Sequence, residues 1–318
     1  MFACYFAAIA LGNLLFGANP AIAIPHLGIV SQFSALFLLF RLVDSTQPVV
    51  RRVLAVSFGF MSAVTFLHAS DGAFKVLSEE VDPVVIEPLA DYQGYAFVYF
   101  VVALLLAASS RIGARLLVYL IACPALYLIE ARSEFVGFLF GAAVIELLYA
   151  PSRSAMALLG FTGLFLFAIS VTLPADLPES RVIGIVRYSE DQSAMERSEL
   201  HRRALETIKR SPLMGEYGGY APGEYAHNML SAWVDLGFVG FAVFLGLLVS
   251  IGVLLLARFR DRSRRVPYAL ALTFVAVELL LALAAKNFTY QLFPVAFALA
   301  ARELAPIGRK KGRREITP

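Results

Sequence analysis

The sequence predicts an all-α polytopic membrane protein, with about ten transmembrane helices and one large outer loop that carries a helix of its own. Three observations predict it. Of the 318 residues, 59% are hydrophobic, and the mean hydropathy is +0.73. The apolar residues are gathered into runs that can cross a ~30 Å hydrocarbon core as helices, without the polar face of a soluble amphipathic helix. Lys and Arg collect in alternate breaks between the runs, the asymmetry of a chain threaded through a bilayer.

Ten runs supply the spans: residues 2–16, 21–42, 53–69, 92–108, 114–129, 135–150, 155–173, 236–257, 266–285 and 289–304, the first and last being short. The organisation that follows is helices 1–7 over residues 1–173, an outer loop over 174–228, helices 8–10 over 229–304, and a basic tail over 305–318. No basic region precedes the first run, so no cleavable signal is read; the alternative is a start further upstream.

Orientation follows from the breaks, because positive residues are retained on the cytoplasmic side. With the tail Arg309 to Arg314 inside, the breaks holding Arg51, Arg111, Arg115, Arg153 and Arg258 to Arg265 fall inside too, taking 17 of the 27 Lys plus Arg. The net charge of +3 is therefore a product of topology and gives no reason to propose nucleic-acid binding. Cys4 and Cys123 lie within apolar runs and read as packing residues, so neither a disulfide nor a metal site is expected.

The outer loop is the one substantial polar island. Residues 174–191 read as an extended connector, and 193–210 as a helix, since Ser193 and Glu196 have capping-box spacing and Leu200, Ala204, Leu205 and Ile208 recur at helical intervals. Ser211-Pro212 stops that helix. The next stretch holds Gly215, Gly218, Gly219, Pro222 and Gly223 among Tyr217, Tyr220 and Tyr225, a composition that turns tightly and approaches a ligand closely.

His227-Asn228 then opens the next membrane helix, with Asn228 as its N-cap. A helix N-terminus disfavours imidazolium and favours anions, so His227 there is expected to be neutral and fit to accept a proton; the plainer alternative is a cap or a headgroup contact. Arg202 has Glu199 and Glu206 within one turn, so Arg202 and Arg203 read first as solvated ion pairs. Arg197 has no such partner at helical spacing and is the better anion ligand. Arg132 stands in a short outer break against the positive-inside preference, either paired with Glu130 or Glu134 or binding a lipid-linked phosphate through its guanidinium fork. Glu278 lies deep in the ninth run and is a functional candidate by its cost alone, against a pairing role; Glu146 is expected to snorkel to the cytoplasmic end of its helix.

Arg197-x3-His201-x2-Ala204-x3-Ile208-x3-Pro212-x2-Gly215, followed by His227-Asn228-x8-Gly237-x2-Gly240, resembles the signature region of the O-antigen ligase and O-antigen polymerase superfamily, and Ala131-Arg132-Ser133 resembles its Ser-Arg element. His201 stands where that family usually has an aromatic residue, and ten helices is fewer than it usually has.

The resemblance implies an inverting, metal-independent glycosyltransferase of the bacterial inner membrane with its site on the periplasmic face and no cofactor. An undecaprenyl-diphosphate-linked glycan would be donor, and lipid A-core or another lipid-linked unit the acceptor. It would place His227, Arg197 and Arg132 in catalysis, and Asn228, Arg202, Arg203, His201, Tyr217 and Gly215 around the substrate. A lipid or sugar transporter, with the loop as gate and Glu278 as coupling residue, is the reading of another class, and a non-catalytic scaffold a third.

Overall fold

The computed structural model describes residues 2–16, 20–70, 73–74, 92–149, 192–220, 225–259 and 266–305. The expected seventh helix, the connector 174–191, most of the basic cluster 258–265 and the basic tail lie outside the described residues.

The described chain is helical: α1 (Phe2–Phe16), α2 (Pro20–Leu42), α3 (Pro48–His68), α4 (Tyr92–Ala108), α5 (Ile112–Leu128), α6 (Arg132–Tyr149), α7 (Gln192–Arg210), α8 (Leu230–Ala257), α9 (Val266–Ala284) and α10 (Leu292–Leu304). The one addition to an all-helical reading is a two-residue antiparallel pairing of β1 (Ala69–Ser70) with β2 (Ala73–Phe74), in register Ala69 to Phe74. Among the described residues, four helices, α2, α3, α8 and α9, are long and apolar enough to cross a membrane.

Helix α9 is the axis, packed against α4, α6, α8 and α10. One core lies between α3, α4, α5, α6, α9 and α10, around Tyr99, Phe100, Phe138 and Phe274; a second joins α1 and α2 to α8 and α10 around Phe2, Phe6, Phe244 and Phe293. The opposite faces of the outer helices stay apolar, with Leu42, Val56, Phe60, Leu120 and Val253 all exposed. A soluble fold would bury or replace such a belt, whereas lipid accepts it.

Apolar burial does not hold helices together in lipid, so close contact does. On α6, Gly137 and Gly141 supply it: a Cβ at Gly141 would stand 2.8 Å from Leu104 of α4 and 3.1 Å from Val277 of α9. Glu146 does not snorkel. Pairing of α5 with α6 buries its carboxylate against Arg115, whose Nη2 donates to Oε2 at 3.2 Å, while the Tyr119 hydroxyl donates to Oε1 at 3.2 Å.

Helix α8 starts six residues before the apolar run begins, and it is broken at Gly237, where φ is 68°. The turn after α7 fills the break. Phe238 N donates to Leu213 O at 3.1 Å, Glu216 N donates to Val234 O at 2.6 Å, and Trp233 Nε1 donates to Pro212 O at 2.7 Å. Backbone groups released by a kink have no water to turn to at the membrane boundary, so the docked loop must satisfy them. Gly215, at φ 69°, and Gly237 make the fit possible. A Cβ on the first would lie 2.4 Å from Val234 O, and on the second 2.3 Å from Leu213 O.

Candidate functional site

The site is built where α7 lies across the start of α8. The helix runs from Gln192, so Ser193 is one residue inside it rather than before it. Ala204 and Ile208 pack on Ala226 and Val234, and Tyr220 donates its hydroxyl to Leu200 O at 3.2 Å. Leu205, assigned to the same apolar face from its spacing, is exposed instead, because the contact is narrow and takes only the Ala204 side of the helix.

Asn228 holds the junction. Its Oδ1 accepts from Leu230 N at 3.0 Å, a turn across Met229, which is the N-cap in place of the expected Asn228, and its side-chain amide bonds His201 Nδ1 at 3.0 Å. The segment is tied on its other side to the end of α9 and the turn after it: Met229 N donates to Ala282 O at 2.6 Å, and Phe288 N donates to Ser231 Oγ at 3.0 Å.

That docking brings Lys286 towards His227. The imidazole is half-buried and stacked at a tilt 4.5 Å from the Tyr225 ring. Burial first, and then the positive charges of Arg197 and Lys286, push its pKa down to about 4. A histidine so placed is neutral at physiological pH, as the helix-end argument expected, although the main cause is burial. Arg197 itself is half-buried and, among the described residues, is in no ion pair.

Lys286 is buried within a polar cluster of its own. It pairs with Glu134 of α6 at 2.8 Å, donates to Gln93 Oε1 at 3.4 Å, and lies 4.7 Å over the ring of Tyr290, whose hydroxyl donates to Glu134 Oε1 at 3.0 Å. Glu278 is fully buried within electrostatic reach of this lysine, and its Oε2 has no hydrogen-bond partner among the described residues. Sequence reasoning assigned Lys286 and Glu134 no role in binding or chemistry. The signal was available: Lys286, like Arg132, is a cation in an outer break, where the positive-inside rule disfavours it.

The remaining expected residues fall into four places. Arg132 begins α6, two residues before Glu134, and is half-buried at the end of the bundle that holds Lys286. Arg202 and Arg203 are exposed on α7, with their guanidinium groups taken by Glu199 and, for Arg202, also by Glu206. Tyr217 faces α2, where its hydroxyl shares a hydrogen bond with His26 Nδ1 at 2.8 Å; burial and the nearby Asp235 carboxylate push its phenol up to about 12. Gly215 belongs to the docked turn.

The fold and site thus define a polytopic helical membrane protein with a neutral histidine and clustered cations at one end of its bundle. No family model matches the chain, and no curated protein matches it. Among solved structures, a chain from a study of structural coordination of polymerization and crosslinking by a peptidoglycan synthase complex is similar in fold, at a TM-score of 0.54 and 19% identity over 95% of this chain and 96% of that one.

Proposed function

We propose that this protein is a membrane glycosyltransferase that moves a glycan from a polyprenyl-diphosphate carrier to an acceptor hydroxyl, at the bundle end formed by His227, Arg197, Lys286 and Arg132. The observation that carries the reading is His227, kept neutral first by burial and then by the nearby charges of Arg197 and Lys286. A neutral imidazole accepts a proton; cations beside it attract a diphosphate. The two halves of a displacement at an anomeric carbon need those groups together.

In the step proposed, the acceptor oxygen bonds to the anomeric carbon on the face opposite the diphosphate. The bond from that carbon to the diphosphate oxygen breaks, the carrier leaves as its diphosphate, and the hydroxyl proton passes to His227. Arg197 and Arg132 meet the charge that develops on the leaving group, a task of positioning and electrostatics. Inversion, metal independence and the undecaprenyl carrier come from the resemblance to O-antigen ligases, as does the periplasmic placing of the site. On that reading the acceptor is lipid A-core or a similar glycolipid. The fold shared with a chain of a peptidoglycan synthase complex favours a second reading, a polymerase that joins lipid-linked units.

The test is made in the native host. Arg197→Ala and His227→Ala variants should insert at normal levels, abolish surface glycan and leave the lipid-linked donor outside the membrane. Full activity in His227→Ala overturns the assignment, and donor trapped on the cytoplasmic side makes the protein a transporter. In a deletion strain, long glycan retained on its carrier indicates a ligase; single units indicate a polymerase.

A further inference from the structure

The far end of the same helices holds a second charged feature that the transfer reading leaves unused. A cavity of about 510 Å³ opens among Arg51 of α3, Arg111, Ile112, Ala114 and Arg115 at the start of α5, and Tyr149 at the end of α6. Glu134 lies in the first turn of the 18-residue α6 and Tyr149 is its last residue, so the helix separates the two features by about 22 Å at 1.5 Å per residue. That is most of the ~30 Å hydrocarbon thickness of a bilayer, which puts the cavity towards the opposite headgroup level.

The walls differ in how their charge is met. Arg115 is 5% exposed, its guanidinium is paired with Glu146 and lies 4.9 Å over the Tyr149 ring, so it forms a rigid and neutralised side. Arg51 and Arg111 are exposed, and among the described residues neither is in an ion pair. The first hydrogen bond within α5 runs from Arg115 N to Arg111 O, and no side chain caps the helix, so the N–H groups of residues 112 to 114 have no intrahelical partner. Two guanidiniums in no ion pair among the described residues, beside backbone donors without intrahelical partners and in a cavity with a neutralised back wall, are a receptor for a small oxyanion.

We propose that this cavity binds a phosphate group at the membrane face opposite His227, carried either by an anionic lipid headgroup or by a soluble phosphate ester. The site is independent of the transfer reading. Its ligand would be held by Arg51, Arg111 and the first turn of α5, with Arg115 and Tyr149 shaping the back of the cavity.

The test uses the purified full-length chain in detergent and native mass spectrometry with three probes: phosphatidylglycerol, phosphatidylcholine and inorganic pyrophosphate. The wild type should retain one phosphatidylglycerol in preference to phosphatidylcholine. Arg51→Gln/Arg111→Gln should weaken that binding about tenfold or more, in line with two lost basic contacts at a membrane surface. Arg52→Gln, one residue along α3 and outside the cavity lining, should leave it unchanged, while Ala114→Phe should weaken it by filling the cavity without changing charge. Displacement of the lipid by pyrophosphate, or retention of pyrophosphate alone, assigns the soluble source. Retention of neither anion by the wild type overturns the proposal, as does undiminished binding by Ala114→Phe or by the double variant, or a loss in Arg52→Gln equal to that of the double variant.

Discussion

A histidine flanked by two cations has a pH response that distinguishes it from a surface histidine. With the folded pKa of His227 at about 4 and the ordinary value at 6.5, the unfolded chain binds more protons between those limits. Stability from this group is therefore fully present above pH 6.5 and is lost as pH falls towards 4. For catalysis by the neutral imidazole, kcat/KM should stay level from pH 8 to about 5 and fall only near 4, where a surface histidine would already have lost activity near 6.5. Lys286 supplies part of that depression, but deleting it alone would strand the buried Glu134, which costs roughly 3 to 5 kcal/mol. The paired variant Lys286→Gln/Glu134→Gln removes both charges together. NMR titration of His227 in this variant should show its pKa moving up towards 6.5, with the acid limb of activity following; an unchanged titration would mean that Lys286 does not act on the imidazole.

Between elements, the contact that decides the site's shape is made of backbone. Gly215 and Gly237 sit at positive φ with a carbonyl oxygen where a Cβ would go, so Gly237→Ala is expected to destabilise through both left-handed strain, about 1 to 2 kcal/mol, and the clash with Leu213 O. Gly215→Ala breaks the same docking, so the double variant should lose less than the sum of the singles in thermal unfolding. Additive losses would show that the turn and the break are independent. This is also where the sequence was least legible. The apolar runs marked nine of the described helices, with starts off by up to six residues, because each run is its own signal, and the C-terminal end of α7 followed from Ser211-Pro212. Gly215 and Gly237 were visible in order but not as partners, since their contact joins backbone atoms across 22 positions and leaves no periodicity. Glu146 was misread for the same reason: its charge was evident, while its burial depended on which helix packed beside it.

For the whole molecule, the two polar features divide between the ends of the bundle. Glu134, Lys286 and His227 gather where α4, α6 and α8 begin and α9 ends, whereas Arg51, Arg111 and Arg115 gather where α4 and α6 end and α5 and α9 begin. The orientation we propose from the positive-inside rule has the arginine end in the cytoplasm and the histidine end outside. The assignment predicts a labelling pattern. Ser198 is exposed on α7 and Ala114 is exposed at the start of α5, so a single cysteine at either position is open to a thiol reagent. In a background where Cys4 and Cys123 are replaced, Ser198→Cys should react with a membrane-impermeant maleimide added to intact cells or spheroplasts, and Ala114→Cys only after the membrane is permeabilised. Reaction of both from outside would break the separation of the two ends. The reverse pattern, with Ala114→Cys alone reacting from outside, would keep the fold and its two sites but turn the chain over, leaving His227 facing the cytoplasm and removing the proposed transfer from the outer face.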